Sequence, residues 1–296
     1  IQLIEPRNRM QIFVDPTPDP VKSYAERQRL FALPRSGWQD YNRALISQGG
    51  GIFDRTAKSI EITAQMRKCL STHRKKCSPD ELIRLILRAR VDLLWNGGIG
   101  TYVKAKEESH ASVGDRANDN VRINADELTC QVIGEGGNLG LTQLGRIEYA
   151  RKGGHINTDA IDNSGGVDCS DHEVNIKIAL KPLVQAGHLP LQKRNRLLAS
   201  MTDEVAWLVL RDNDLQNKAL TIEHMQASTL FESHILVMRS LEERALLDRA
   251  IESLPTEKQL AELRRSNKGL TRPELSVLLA YAKIALYEDI MACGLA

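Results

Sequence analysis

The stretch from Val132 to Glu173 constrains this chain more than any other. Val132 and Ile133 form a short apolar run that leads into Gly134, Glu135, Gly136, Gly137 and Asn138, and a helical pattern begins at Leu141. Asn163, Ser164, Gly165 and Gly166 repeat the arrangement, an Asn beside paired glycines with a helix pattern after them. Glycine pairs leave no Cβ between the backbone and a ligand. An Asn side chain adds one amide donor group and one acceptor, which suits a carboxamide or a ribose. Two such loops belong at the carboxyl ends of parallel strands, where an α/β sheet opens a crevice.

Bulk properties narrow the class. The 296 residues suffice for two domains, and a hydrophobic fraction of 42% with only 4% aromatics calls for a mostly aliphatic core. Forty basic and 38 acidic residues leave a net charge of +2, which gives no electrostatic footprint for nucleic acid. Cys69, Cys77, Cys130, Cys169 and Cys293 are odd in number and contain no C-x-x-C pair, so neither a disulfide framework nor a structural zinc is expected. No apolar run nears the roughly 20 residues of a membrane span, and no secretory signal pattern opens the chain. A cytoplasmic protein with no membrane partner is expected. Ile1, Gln2, Leu3 and Ile4 read like a strand already under way, so the chain is expected to be a fragment of something longer.

Along the chain, Gln11–Val14 reads as a strand, Pro16, Pro18 and Pro20 as a loop, and 21–33 as a helix with a stripe of Val21, Tyr24, Ala25 and Gln28–Phe31. Ser78, Pro79 and Glu81 spell a capping box for a helix to about Arg90. Val91–Trp95 follows as a buried strand, then the loop Asn96, Gly97, Gly98. Cys130–Ile133 is the next strand and Leu141–Ala150 the next helix. This alternation predicts a Rossmann-like parallel α/β sheet. Beyond Glu173 helical spacing takes over, as in Leu197, Met201, Val205 and Leu208, with capping boxes at Thr256/Gln259 and Thr271/Glu274. The expected division is a partial dinucleotide-binding domain over 1–172 and an all-helical C-terminal domain over 173–296.

The order Asp92–Gly98, Gly134–Asn138, Asp159 and Asn163–Glu173 resembles the dinucleotide-binding domain of glutamate dehydrogenases. More narrowly it is similar to the large, NAD-specific bacterial members with very long subunits. Ala25–Pro34 and Gly269–Leu275 share the likeness, which covers nearly the whole chain. The resemblance implies hydride transfer from L-glutamate to NAD, giving 2-oxoglutarate and ammonia, in a homo-oligomer. It implies that Asn96, Gly97 and Gly98 approach the nicotinamide half of the cofactor through backbone. Gly136, Gly137 and Asn138 lie at the nicotinamide ribose, Asn163 beside the carboxamide, and Ser170 on the side-chain carboxylate of glutamate. Ser164 and Gly137 stand where many relatives carry Ala, and both are small. The diphosphate loop and the catalytic lysine and aspartate are not found in 1–296 and are expected upstream, so no catalytic residue is assigned. For the adenosine ribose, Asn8 or, after a shifted turn, Asp15 is the candidate.

Other roles compete for the same residues. Asn138 and Asn163 would also serve as left-handed turn residues, and Ser170 as a helix N-cap. His172 reads as a structural histidine without a charge partner, and Trp95 as core. Asp168 and Asp171 lack His or Cys at ligand spacing, so no metal is expected. A non-catalytic nucleotide-sensing or subunit-assembly module would carry the same loops and helical tail, as would another amino-acid dehydrogenase.

Overall fold

A computed structural model describes Gln2, Leu3 and residues 10–294. The chain divides into two compact units, the first comprising 1–134 and 139–155 and the second 135–138 and 156–296. The division expected at 172 falls inside a continuous helix, Ser164–Gln185.

The first unit mixes helices with short strands. β1 (Gln2–Leu3), β2 (Gln11–Asp15) and β3 (Gly51–Asp54) form an antiparallel sheet, Leu3 opposite Val14 and Phe13 opposite Ile52. α1 (Pro20–Ala32) lies between β2 and β3 in sequence; Asp19 caps it by accepting the Val21 and Lys22 N–H groups. Phe13 is packed with Trp38 and Tyr41, ring centroids 5.1 and 4.8 Å away. Of the stripe expected to anchor α1 only Leu30 is buried, together with Ser23 and Glu26, while Val21, Tyr24 and Phe31 are exposed. Glu26 holds that inner face through Arg29 and the Asn42 N–H, so an ion pair and a backbone bond replace the predicted apolar seam.

β4 (Ile60–Glu61) pairs antiparallel with β5 (Lys76–Cys77) around α2 (Ala64–Cys69). α3 (Pro79–Leu87) starts on the predicted capping box, with Glu81 N–H donating to Ser78 Oγ and Ser78 N–H to Glu81. Its apolar face packs Leu82 and Ile86 against Ile60, Ile62 and Met66. β6 (Leu93–Asn96) is not the doubly buried strand expected: Leu94 is buried, whereas Leu93 and Trp95 are more than half exposed. β7 (Val103–Lys104), α4 (His110–Val113) and β8 (Ile123–Asn124) follow, with β7 and β8 parallel. β9 (Val132–Glu135) neighbours β6. Val132 N–H donates to Asp92 O while Ile133 N–H donates to His155 O, and α5 (Gln143–Arg151) fills the interval. Parallel bridges join Val103 to Leu141 and Val132 to His155. The first unit is therefore mixed α/β, with small parallel pairings and antiparallel ones at its N-terminal end.

The second unit is helical: α6 (Asp159–Asp162), α7 (Ser164–Gln185), α8 (Leu191–Ser200), α9 (Thr202–Met225), α10 (Phe231–Glu243), α11 (Glu257–Arg265) and α12 (Arg272–Ala292). Both predicted capping boxes form, at Thr256/Gln259 and Thr271/Glu274. The Leu197–Leu208 spacing crosses a break at Met201, which ends α8 and begins α9. The core gathers Leu220, Phe231, Ile235, Met238, Leu260 and Leu275. No helix among the described residues is long and apolar enough to cross a membrane.

Candidate functional site

In the first unit, β6 delivers the glycine loop to a pocket of about 120 Å³ that Trp95, Asn96, Gly97, Gly98, Tyr102 and Leu141 help to line. Asn96 Oδ1 accepts the Gly98 N–H at 3.3 Å, an Asx turn that fixes the loop. A Cβ on Gly98 would meet nothing within 4 Å, so its bare backbone faces open space. Trp95 is 57% exposed and not core. Its ring lies against Gly134, where a Cβ would come within 2.5 Å of the indole. Glycine at 134 is what lets the ring approach the neighbouring strand this closely.

In the second unit, Asn138 and Asn163 come together. Asn163 Nδ2 donates to Asn138 Oδ1 at 2.7 Å across 25 residues of sequence. Asn163 is the junction between α6 and α7, yet its side chain makes no capping bond. Its φ of −92° is not left-handed, and Asn138 is not among the residues of positive φ. The turn-residue reading of both asparagines is thereby corrected; the left-handed position is Leu139, at φ 57°. A Leu held in that region marks backbone the surroundings have to enforce. Gly166 makes room for the pair, since a Cβ there would sit 2.6 Å from Asn163 Oδ1. Gly165 is open on its Cβ side. The Glu135–Asn138 loop that contains Gly136 and Gly137 is tied down by the Glu135 N–H, which donates to Asp162 Oδ2 at 3.0 Å.

Ser170 is inside α7, two turns beyond its start, so it is not an N-cap. It is exposed, and its hydroxyl donates to Gly166 O at 3.2 Å, a back-bond that leaves the oxygen free to accept or to switch partner. Seven residues of helix put Ser170 on the face of Asn163, roughly 10 Å along the axis. Nearby on α7, Asp168, Asp171 and His172 line a polar cleft of about 390 Å³ with Asp212, Gln216 and Lys283. His172 does have a charge partner, Nε2 lying 4.0 Å from Asp212 Oδ2. Burial pushes the Asp168 carboxyl above its ordinary range, and Lys283 pulls it the other way. Asp212, Gln216 and Lys283 escaped the sequence reading because they come from α9 and α12, where nothing local sets them apart.

Of the two candidates for the adenosine ribose, Asn8 lies outside the described residues. Asp15 is wholly buried and accepts bonds from the Ser47 N–H and hydroxyl. Both bonds fall on Oδ1; Oδ2 is buried with no hydrogen-bond partner among the described residues.

Comparison with known proteins supplies a family. A family model described as bacterial NAD-glutamate dehydrogenase, catalytic domain, matches residues 1–223, and one described as glutamate dehydrogenase, C-terminal, matches 267–296. Curated relatives named NAD-specific glutamate dehydrogenase are 55% identical in Halomonas elongata, 54% in Pseudomonas aeruginosa and 51% in Mycobacterium tuberculosis. These alignments cover 98% to 100% of this chain and 18% of each relative, so the chain spans under a fifth of their length.

Proposed function

The chain belongs to the bacterial NAD-glutamate dehydrogenase family, and we propose that it is part of an enzyme that oxidatively deaminates L-glutamate with NAD. The pairing of Asn138 with Asn163 carries this reading. Two amides at 2.7 Å, beside a Gly165 with open space on its Cβ side, suit the ribose and carboxamide of a nicotinamide nucleotide. In the first unit, the loop of Asn96, Gly97 and Gly98 is taken to approach the nicotinamide half through backbone, which the open Cβ side of Gly98 supports. Bound NAD supplies the hydride acceptor. The protein's own part is orientation: Asn163 fixes the ring through its carboxamide, and Asn138 fixes Asn163. Ser170 is proposed to donate to the distal carboxylate of glutamate after leaving Gly166 O, a role its exposure and its position on the Asn163 face of α7 support. The substrate loses hydride from its α-carbon, and water hydrolyses the resulting iminium to 2-oxoglutarate and ammonia.

The finer fold belongs to the same proposal. The parallel pairing of β7 with β8 and the parallel bridges at Val103 and Val132 support a Rossmann-like sheet. Exposed Ile284, Leu286, Tyr287 and Ile290 on α12 support assembly as a homo-oligomer. Cytoplasmic location is proposed on the same footing. A match to a catalytic domain favours the enzyme over the nucleotide-sensing alternative. The test is Asn163→Ala in the full-length enzyme. Turnover is expected to fall by about 100-fold, the effect of misplacing a reacting ring by roughly 1 Å, with a smaller change in the KM for glutamate. Wild-type kinetics would make Asn163 a junction residue only.

A further inference from the structure

Within the second unit a polar network runs from the start of α12 to the two asparagines. Arg272 Nε donates to Asn157 Oδ1, Nη1 to Thr221 Oγ1 at 2.9 Å, and Nη2 to Asn217 O and Oδ1 at 3.2 and 3.1 Å. Asn157 Nδ2 donates in turn to Asp162 Oδ1 at 2.6 Å and to Asn217 Oδ1 at 3.1 Å. The other Asp162 oxygen accepts the Glu135 N–H, which begins the loop ending in Asn138. Asn217 Nδ2 passes to Asn213, whose own Nδ2 donates to Ile161 O and Ser164 Oγ, both at 2.8 Å. Asn163 is thus gripped on both sides in sequence, by Asp162 and by Ser164.

We propose that Arg272 is a positioning residue for the reaction, fixing through Asn157 and Asp162 the register of the Glu135–Asn138 loop against Asn163. The inference rests on the nicotinamide reading of those two asparagines. Packing alone does not call for this arrangement. Leu220 on α9 and Leu275 on α12 are almost wholly buried a residue or three away, so both helices can close on aliphatic contacts. A half-buried polar network is costly unless every member is satisfied, and it then holds one geometry. Arginine suits the post because its donors are held in a rigid planar fork, whereas an ammonium is a compact point charge on a flexible stem. Burial lowers the affinity of the guanidinium for its proton, and the charge of Asp162 opposes that. Residues 267–296, the segment matched by the C-terminal family model, thereby reach a cofactor loop more than a hundred residues away in sequence.

The test uses the full-length enzyme with Arg272→Lys, Arg272→Met and Asn163→Ala, singly and combined. Binding of NAD is compared with that of ADP-ribose, which lacks the nicotinamide, and Tm is followed. Loss of a charged, partly buried bond predicts NAD binding weakened by about tenfold in both Arg272 variants with ADP-ribose binding held, alongside a fall in Tm as Asn157 and Asn217 lose their donor. Asn163→Ala added to Arg272→Met should then cost little more, because both act on one geometry. Equal weakening of both ligands, a fall in Tm alone, or strict additivity would overturn the role of Arg272. If Asn163→Ala itself left NAD binding intact, it is the nicotinamide reading that fails, and Arg272 with it. Should Arg272→Met fail to fold, Arg272→Lys and Asn157→Ser carry the same measurements.

Discussion

Ser170 and Gly166 are one helical turn apart on α7, and each can be changed by a single small group. A hydroxyl donating to a carboxylate contributes about 1.5–3 kcal/mol, or roughly tenfold to a hundredfold in affinity. Ser170→Ala in the full-length enzyme should therefore raise the KM for glutamate and leave that for NAD nearly unchanged. It should also narrow the preference for glutamate over norvaline, whose side chain has no carboxylate. Its hydroxyl donates to an exposed helix carbonyl, so the substitution should leave Tm where it was. A lower Tm with intact substrate preference would reduce Ser170 to a helix residue. Gly166→Ala tests the pair from the other direction. Alanine favours a helix interior by about 1 kcal/mol over glycine, so stability should hold or rise. The new Cβ would nevertheless stand 2.6 Å from Asn163 Oδ1 and displace it. Turnover should fall with no loss of Tm, and an active Gly166→Ala enzyme would show that Asn163 has no fixed place to keep.

Elements whose signals are local were legible in the sequence, and those that depend on distant partners were not. Ser78 and Glu81 are three residues apart, and their reciprocal bonds form as the spacing required. Losing such a cap costs about 1 kcal/mol, so Ser78→Ala should lower the urea midpoint of the full-length protein's first transition. The Glu81 carboxyl is held below its ordinary value of 4.5, mainly by the Ser78 N–H and further by Arg74. A depressed carboxylate stabilises the fold above that value and loses its effect as pH falls through the folded pKa. Glu81→Gln should therefore flatten the decline of stability in an acid titration; an unchanged slope would show that the bond forms without the charge. The outward stripe of α1 and the exposure of Trp95 were not legible for the opposite reason. Which face of α1 is covered depends on Asn42 bonding Glu26, and whether Trp95 is covered depends on Gly134, 39 residues on. Likewise β2 shows the alternation of any strand, and only the return of β3 beside it makes the sheet antiparallel. At the site, the two glycine–asparagine loops could be picked out one at a time. That they meet through Asn138 and Asn163, with Arg272 behind them, is a tertiary fact with no local mark.

At the scale of the whole molecule, the chain covers 18% of the length of its relatives, and on the proposed reading it holds the orienting half of a reaction. Asn138 and Asn163 can align a ring, and Ser170 can bind a carboxylate, but none of these three groups can move the proton that amine oxidation releases. Among the described residues, the basic groups in the cleft on the Ser170 helix are His172 and Lys283, and both are occupied locally. His172 faces Asp212, and Lys283 donates to Gln216 at 2.6 Å. On the proposed reading, proton transfer is therefore left to groups outside this chain. The 296-residue chain expressed alone should then reduce no NAD with glutamate, while the full-length enzyme does so. Adding back the missing part as a separate polypeptide should restore some of the rate, because positioning and chemistry reside on different segments. Glutamate-dependent NADH formation by the chain alone would sink that division of labour. Lys283→Met would then be the decisive variant: if it abolished the activity, the polar cleft between α7, α9 and α12 would be the catalytic centre.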